Sequence, residues 1–332
     1  MEHLPNLIGE DPAFLDIVER VSQLAPLDKP CLVVGERGTG KELITSRLHY
    51  LSRRWDGPLL KVNCATLTES LLETELFGHE AGAFTGAQRR HIGRFERAHG
   101  GTLILDEIAS ASQAVQEKVL RIIEYGEFER VGGSETLNVD VRVVGAANVD
   151  LPTMAQQGEF RADLLDRLAF DVITIPPLRA RPADILPLAN HFAMEITREF
   201  GRSVFAGFSD TAQHAISGYG WPGNVRELRN VVERAVAHQR DEESVIEQVV
   251  FDPFDSPWRP GSTFQERSEA ATTIDHSDNF LRSVADVERQ LLERALAGTR
   301  FNQTLAAQNL GLSYHQFRRL LKKHNVESRA TE

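Results

Sequence analysis

The sequence predicts an α/β domain with a parallel sheet, followed by a helical segment, a linker and a small all-α domain. Three observations favour this architecture. Short apolar runs at 31–34, 102–105 and 141–146 are separated by longer mixed segments, a pattern typical of buried parallel strands with helices between them. A glycine-rich loop follows the first run. A proline-containing stretch at 252–279 then precedes a basic segment with helical periodicity at 280–324.

The charge of the chain is unevenly distributed. The 332 residues carry a net charge of −11, but residues 280–332 hold nine Lys/Arg against five Asp/Glu. An acidic body argues against coating nucleic acid with the whole surface, whereas a basic tail suits local DNA contact. No run approaches the ~18 apolar residues of a membrane span, and the N-terminus lacks a signal-peptide pattern. We expect a cytoplasmic, nucleoid-associated protein without membrane insertion, in which Cys31 and Cys64 are buried free thiols.

The first apolar run leads into a phosphate-binding loop. Its glycines let backbone N–H groups surround a phosphate, and the following helix N-terminus favours anionic charge. Lys41 is placed to reach the β- and γ-phosphates of ATP. Glu42 stands where Ser or Thr usually holds Mg²⁺, so the metal must rely on other carboxylates and water. The alternative is a glycine-rich turn that binds no nucleotide. The predicted nucleotide-binding residues here are Gly35, Glu36, Arg37, Gly38, Thr39, Gly40, Lys41 and Glu42.

Two adjacent carboxylates follow the run at 102–105. Asp106 is placed to hold Mg²⁺, directly or through water, and Glu107 to polarise the attacking water as a general base. The alternative is a solvated acidic pair. Asn63, after the apolar run 59–62, is a candidate hydrogen-bond partner that orients Glu107, unless it only forms a turn or a cap.

Phe84 is a lone aromatic residue in a loop of small residues. It lies where a helix is expected to cover the sheet, so it is either an exposed contact tip or a buried residue in a tight turn. The segment 75–87 resembles the signature of sigma-54-dependent activators, the bacterial enhancer-binding proteins. The resemblance implies an AAA+ ATPase domain and a loop that contacts the sigma factor, formed by Gly82, Ala83, Phe84, Thr85, Gly86 and Ala87.

The resemblance covers residues 5–240 and 280–324. In this family the phosphate-binding loop itself ends in Glu, so Glu42 is no departure there. The implied domains are an AAA+ α/β domain at 1–175, a helical lid at 176–250, a linker at 251–279 and a Fis-type helix-turn-helix domain at 280–332.

Further nucleotide-site residues are implied by the same resemblance. Asn148 matches the sensor I position, although Ala147 stands before it where relatives often have Thr. Arg161 and Arg167 match the arginine-finger segment, the alternative for each being a surface ion pair. Six helical residues turn through about 600°, so the two would not share a face of one helix. We therefore expect Arg161 to precede the helix, with Asp163 as its cap.

The lid carries one more implied ligand. Residues 221–228 resemble the sensor II segment, with Arg226 reaching back to the nucleotide. ATP is then expected to bind between subunits of a ring, a hexamer in this reading. Arg161 or Arg167 of a neighbouring subunit would stabilise charge on the transferring phosphoryl group.

The C-terminal segment has helix-turn-helix spacing. A helix from Phe301 is followed by a turn at Gly311, and Ser313 is predicted to cap a basic second helix spanning 314–324. Such a helix suits the major groove of upstream activating DNA, the alternative being a solvated basic helix. The predicted DNA-contacting residues are Ser313, Tyr314, His315, Gln316, Arg318, Arg319, Lys322 and Lys323.

Control by a partner protein is expected because the residues before Cys31 can form only a short helical lead-in. Within the family, the segments 24–29 and 313–317 most resemble activators of phage shock operons, which implies phage shock protein A as the inhibitor. Trp55 stands between charged residues and a Gly-Pro turn, so it is predicted to be exposed and to dock that inhibitor. The alternative is a Trp that packs over its own domain.

Two rival functions are weighed against sigma-54-dependent activation. An AAA+ remodelling enzyme that acts without a sigma factor does not explain the loop at 82–87. A DNA-binding repressor with an inactive ATPase domain does not explain the intact Lys41, Asp106 and Glu107.

Overall fold

The computed structural model describes residues 6–202, 204–239, 241, 244–256, 258–259, 285, 288–293, 295–296, 299 and 302–324. The chain divides into two compact units, Met1–Pro253 and Phe254–Glu332. Most of the segment 251–279, expected to be a linker, lies outside the described residues.

A five-stranded parallel sheet forms the centre of the first unit. Its strands are β1 (Cys31–Val34), β2 (Leu59–Asn63), β3 (Thr102–Asp106), β6 (Arg142–Ala147) and β7 (Val172–Thr174), in the order β2-β3-β6-β1-β7. A separate antiparallel hairpin contains β4 (Glu127–Glu129) and β5 (Thr136–Asn138). The three apolar runs are confirmed as β1, β3 and β6. Strands β4, β5 and β7 have only three residues each, too few for a recognisable alternation.

Helices cover both faces of the sheet. They are α1 (Pro12–Leu24), α2 (Lys41–Tyr50), α3 (Glu69–Phe77), α4 (Arg94–Arg97), α5 (Gln113–Tyr125), α6 (Leu151–Gln156) and α7 (Ala162–Leu168). Side chains of a strand alternate between faces, so Leu103 and Leu105 of β3 join one core with Val115 of α5, whereas Ile104 joins a second core with Leu48 of α2. Burial on both faces explains why these strands read as continuous apolar runs.

Three helices form a lid after the sheet, namely α8 (Ile185–Glu199), α9 (Asp210–Gly218) and α10 (Asn224–His238). A break that contains the Pro-Gly pair at 222–223 separates α9 from α10. Trp221 packs at the centre of the lid core, and its indole Nε1 donates to Ile216 O at 2.9 Å.

The second unit contains a helix-turn-helix. Helix α11 (Gln303–Asn309) is followed by a turn in which Gly311 has a φ of 66°, and then by α12 (Tyr314–Lys323). Phe317 and Leu321 of α12 pack on Leu292 and Ala306. Among the residues described in both units, no helix is long and apolar enough to cross a membrane.

Candidate nucleotide, sigma-factor and DNA sites

The phosphate-binding loop joins the C-terminus of β1 to the N-terminus of α2. Gly38 and Gly40 have φ values of 78° and 99°, which favour glycine. The Lys41 ammonium lies inside the loop and donates to the carbonyl oxygens of Gly35 (2.8 Å) and Glu36 (3.0 Å). Burial lowers the pKa of Lys41, and the nearby carboxylates of Asp106 and Glu107 oppose this shift. The loop therefore presents a cation to an anionic ligand beside two acidic groups.

The acidic pair lies at the C-terminus of β3, next to the loop. Glu107 has a φ of 50°, an unusual left-handed conformation for a residue other than glycine. Its backbone N–H donates to Asp106 Oδ1 at 3.0 Å. The Glu107 carboxylate lies 3.9 Å from Arg37 Nε. Strained backbone at such a position is common where a side chain must point into a functional site.

Asn63 has a different partner from the one expected. Its Nδ2 donates to Asp106 Oδ2 at 3.3 Å, and its Oδ1 accepts from Ala65 N at 2.9 Å. The parallel register of β2 and β3 places Asn63 directly opposite Asp106, while Glu107 lies beyond the end of the strand. In this structure Asn63 therefore orients Asp106, and the expected hydrogen bond to Glu107 is corrected.

Two cavities meet where α2 faces the lid. The phosphate cavity, of about 350 Å³, is lined by Lys41, Asp106, Glu107 and Arg226 among others. The nucleoside cavity, of about 210 Å³, is lined by charged residues such as Arg181 and by an apolar group that comprises Ile8, Phe14, Leu43, Ile44, Leu188 and Phe192 among others. A partly apolar pocket that opens onto a cationic loop suits a base joined to a phosphate chain.

The lid is tied to the phosphate-binding loop by buried Asn224. This residue has a φ of 54°, and its Nδ2 donates to Glu36 Oε2 and to Arg37 O, both at 3.1 Å. Arg179 also pairs with Glu36. The hydrogen bonds from Arg179 and Asn224 lower the pKa of Glu36 to about 2. The sequence alone did not reveal Asn224, because this role depends on a tertiary contact that no local spacing shows.

A second tie between lid and loop is Arg181, which is 2% exposed. Its Nη2 donates to Thr39 O at 3.0 Å, and its guanidinium carbon lies 4.9 Å from the centre of the Phe14 ring. Burial lowers the pKa of Arg181, and the charges of Asp184 and Asp11 oppose the shift. The sequence places Arg181 in an Arg-Pro-Ala-Asp segment that indicates the start of the lid. That segment gives no sign that the side chain contacts the phosphate-binding loop.

The other predicted nucleotide-binding residues differ in whether they line a cavity. Arg226 lines the phosphate cavity, and its backbone N donates to Gly38 O at 3.3 Å. Glu42 also lines the phosphate cavity, and its carboxylate pairs with Lys61 at 3.0 Å. Asn148 directly follows β6 but lines neither cavity.

Neither predicted arginine finger lines the two cavities of its own subunit. Arg161 is the N-cap residue of α7, so the prediction that it precedes the helix is confirmed. Asp163 is not the cap; it lies in the first turn and pairs with Arg161 at 2.8 Å. Arg167 lies in the last turn and pairs with Glu124 at 2.7 Å.

The loop at 82–87 projects between α3 and α4. Phe84 is 48% exposed, and its ring contacts His79 edge-on with a centroid separation of 4.9 Å. Gly82 and Gly86 have φ values of 85° and 104°, and a Cβ at either would meet no atom within 4 Å. Ala87 closes the loop, because Gly82 N donates to its carbonyl oxygen at 2.7 Å. The loop is thus an open turn that carries an exposed aromatic tip.

Trp55 is 63% exposed, as the sequence predicted. The adjacent Arg54 anchors its segment, with hydrogen bonds to Asp28 Oδ1 (2.6 Å) and Asp140 Oδ1 (2.7 Å). These contacts hold the pKa of Arg54 above its usual range. Trp55 is therefore displayed on an anchored segment.

The recognition helix α12 begins at a capping box. Ser313 Oγ accepts from Gln316 N at 3.3 Å, and Gln316 Oε1 accepts from Ser313 N at 3.0 Å, which confirms Ser313 as the cap. Arg318, Arg319, Lys322 and Lys323 are exposed. One of these basic residues has an acidic partner outside the helix, because Lys323 pairs with Glu288 at 2.7 Å.

A phosphate-binding loop, an acidic pair on the adjacent strand and a helical lid define a P-loop ATPase of the AAA+ class, here joined to a DNA-binding helix-turn-helix. The Sigma-54 interaction domain family matches residues 7–175, the AAA+ ATPase lid domain matches 179–254, and the Fis family of bacterial regulatory proteins matches 283–324. The chain belongs to the family of sigma-54-dependent transcriptional activators. It is an ATPase whose partners are sigma-54 and DNA.

Similar proteins cover nearly the whole chain. The Psp operon transcriptional activator of Escherichia coli (strain K12) is 54% identical over 325 residues, which are 98% of this chain and 99% of the relative. The regulatory protein AtoC of the same organism is 40% identical, over 97% of this chain and 68% of AtoC. The crystal structure of NtrX from Brucella abortus in complex with ATP has a TM-score of 0.70 and 30% identity, and covers 97% of this chain and 70% of NtrX.

Proposed function

We propose that this chain activates a phage shock operon, by binding upstream DNA and using ATP hydrolysis in a hexameric ring to remodel the closed sigma-54 polymerase complex. The observation that carries the coupling is Phe84, an exposed aromatic tip outside both nucleotide cavities. The operon type is supported by 54% identity to the Psp operon transcriptional activator along nearly its full length. The site of action proposed is the cytoplasm, at the nucleoid.

Within the site, Lys41 binds the β- and γ-phosphates and Glu107 acts as the general base toward water. Asp106 is the residue that would hold Mg²⁺, together with phosphate oxygens and water. Among the described residues there is no cluster of three or more potential ligands, which fits a metal that usually relies on one or two carboxylates and substrate phosphates. When bound, Mg²⁺ neutralises charge on the phosphate chain. Asn63 Nδ2 donates a hydrogen bond to one carboxylate oxygen of Asp106, and the Glu107 N–H donates to the other. Each oxygen can still accept a further contact.

The loss of Phe84 is expected to uncouple hydrolysis from activation. Phe84→Ala should retain ATPase activity, because the loop lies apart from the cavities, but sigma-54 capture and open-complex formation should fall about tenfold or more, as for an aromatic hot spot. Thr85→Ala should act in the same direction. The measurements are phosphate release and open-complex formation in parallel.

The matched control for Phe84 is Phe200→Ala. Phe200 is 47% exposed, almost equal to Phe84, but it follows α8 in the lid. It should leave both activities unchanged. Normal activation by Phe84→Ala would remove the proposed contact role of this loop.

The arginine fingers are proposed to act on the neighbouring subunit's ATP. Arg161→Ala and Arg167→Ala should each lower the ATPase rate, by about 10³-fold for the principal finger. Mixing either variant with Lys41→Ala protein should restore part of the activity, since mixed rings contain some interfaces with two intact halves. The assay is phosphate release at several mixing ratios, with ring formation checked by mass. Mixed rings that form but regain no activity would contradict action between subunits.

Inhibition by phage shock protein A is proposed to require Trp55. Adding that protein should slow ATP hydrolysis by the wild type, and Trp55→Ala should resist it, because an exposed Trp on an anchored segment is suited to be an interface hot spot. Trp258→Ala is the control, since Trp258 is 82% exposed but lies in the second unit. Equal inhibition of wild type and Trp55→Ala would exclude this docking role.

A further inference from the structure

Two arginines of α10 face the nucleotide cavities one helical turn apart. Arg226 lines the phosphate cavity only, whereas Arg229 lines both the phosphate and the nucleoside cavity. Residues separated by three positions lie on the same side of a helix, which explains why both side chains reach this region. Arg229 belongs to none of the predicted nucleotide-binding motifs, although it lies at the junction of the two cavities.

Each of the other lysines and arginines around these cavities lines only one of the two. Lys41 and Arg37 line only the phosphate cavity. Arg181 lines only the nucleoside cavity, and its guanidinium is bound to Thr39 O. Of the lysines and arginines that line either cavity in the described structure, Arg229 alone lines both.

The Arg229 side chain is held loosely. Its Nη2 lies 3.6 Å from Glu195 Oε2, beyond a short hydrogen bond, with the two side chains 46% and 41% exposed. Its guanidinium carbon lies 5.7 Å from the centre of the Phe192 ring. Exposed ion pairs of this kind contribute little stability, so exchanging Glu195 for a ligand oxygen costs little.

We propose that Arg229 is a nucleotide-binding residue that contacts the α-phosphate of ATP and ADP, and that Glu195 is the counter-ion which the nucleotide displaces. With the base in the nucleoside cavity and the β- and γ-phosphates at Lys41, the α-phosphate is the anionic group that lies at the junction. A guanidinium gives phosphate a charge-assisted hydrogen bond, and Arg suits this geometry well.

This contact has a distinct kinetic signature. The α-phosphate is neither attacked nor released during γ-phosphoryl transfer, so Arg229 binds substrate and transition state alike. Uniform binding of that kind changes KM and leaves kcat unaltered. By contrast, an arginine that stabilises the transferring phosphoryl group would change kcat.

The test compares full-length wild type with Arg229→Ala in calorimetric titrations of ADP and ATPγS. Both dissociation constants should rise by the same factor, about tenfold, and KM for ATP should rise similarly with kcat within about twofold. Arg229→Lys should recover part of the affinity. Arg198→Ala is the charge-matched control, since Arg198 is an exposed arginine of α8 that lines neither cavity.

A second variant separates the contact from a packing effect. Glu195→Gln removes the competing anion, so it should tighten ADP binding by about twofold to threefold, opposite in sign to Arg229→Ala. Melting temperatures without nucleotide should be equal for all variants within about 2 °C. Unchanged ADP affinity in Arg229→Ala, weakening confined to ATPγS, or a fall in kcat with KM unchanged would each overturn the proposal.

Discussion

Replacement of Glu107 by alanine is expected to lower kcat for ATP hydrolysis by about 10²–10⁴-fold, the usual contribution of a general base. ATP affinity should stay near the wild-type value, because Glu107 is proposed to act on water in the transition state and not on the bound phosphates. The left-handed backbone at Glu107 and its position directly after β3 place the carboxylate on the phosphate cavity. Glu107→Gln should behave like Glu107→Ala, since an amide is not a base.

Lys41→Ala gives the complementary result and separates binding from chemistry. Lys41 is proposed to be a ground-state ligand of the phosphates, so its loss should abolish measurable ATP binding as well as turnover. Titration calorimetry and phosphate release distinguish the two variants. Glu19→Gln, an exposed change on α1, is the control and should have no effect. A Glu107→Ala protein with the wild-type hydrolysis rate would refute the general-base role.

Removal of residues 280–332 is expected to lower the affinity for an upstream activating site by about 10³-fold or more, to the level of non-specific binding. The ATPase activity should persist, because all the described residues that line the nucleotide cavities belong to the first unit. Fluorescence anisotropy with site-containing and scrambled duplexes measures the loss. Unchanged preference for the site-containing duplex would contradict the proposed DNA-binding domain.

Point variants of α12 refine the same prediction. Arg318→Ala and Arg319→Ala should weaken DNA binding. If the arginine binds a phosphate, its removal should make the slope of log affinity against log salt shallower by about one. Lys323→Ala should have a smaller effect, because Glu288 already engages that ammonium. An arginine that reads a base would instead lower discrimination between duplexes.

Features carried by local sequence could be predicted well. The buried strands β1 and β3 read as apolar runs, and the loop after β1 and the acidic pair after β3 follow from their positions in the chain. The cap at Ser313 also depends only on its neighbours, since it bonds to Gln316 three residues later.

Features that depend on tertiary contacts could not be predicted from the sequence. The partner of Asn63 is decided by the register of two strands that are about forty residues apart in sequence. Asn224 and Arg181 reach the phosphate-binding loop only because the lid folds back on it. The position of Arg229 at the junction of two cavities likewise has no signature in the helix itself.

Open-complex formation with purified components tests the central claim most directly. The chain is mixed with sigma-54 polymerase and a promoter that carries its upstream site, and heparin-resistant complexes are counted with ATP, with ADP and without nucleotide. Heparin-resistant complexes are predicted only with ATP, and they should disappear when sigma-54 is replaced by another sigma factor. Complexes that form equally without ATP, or with any sigma factor, would contradict an ATP-driven sigma-54 activator.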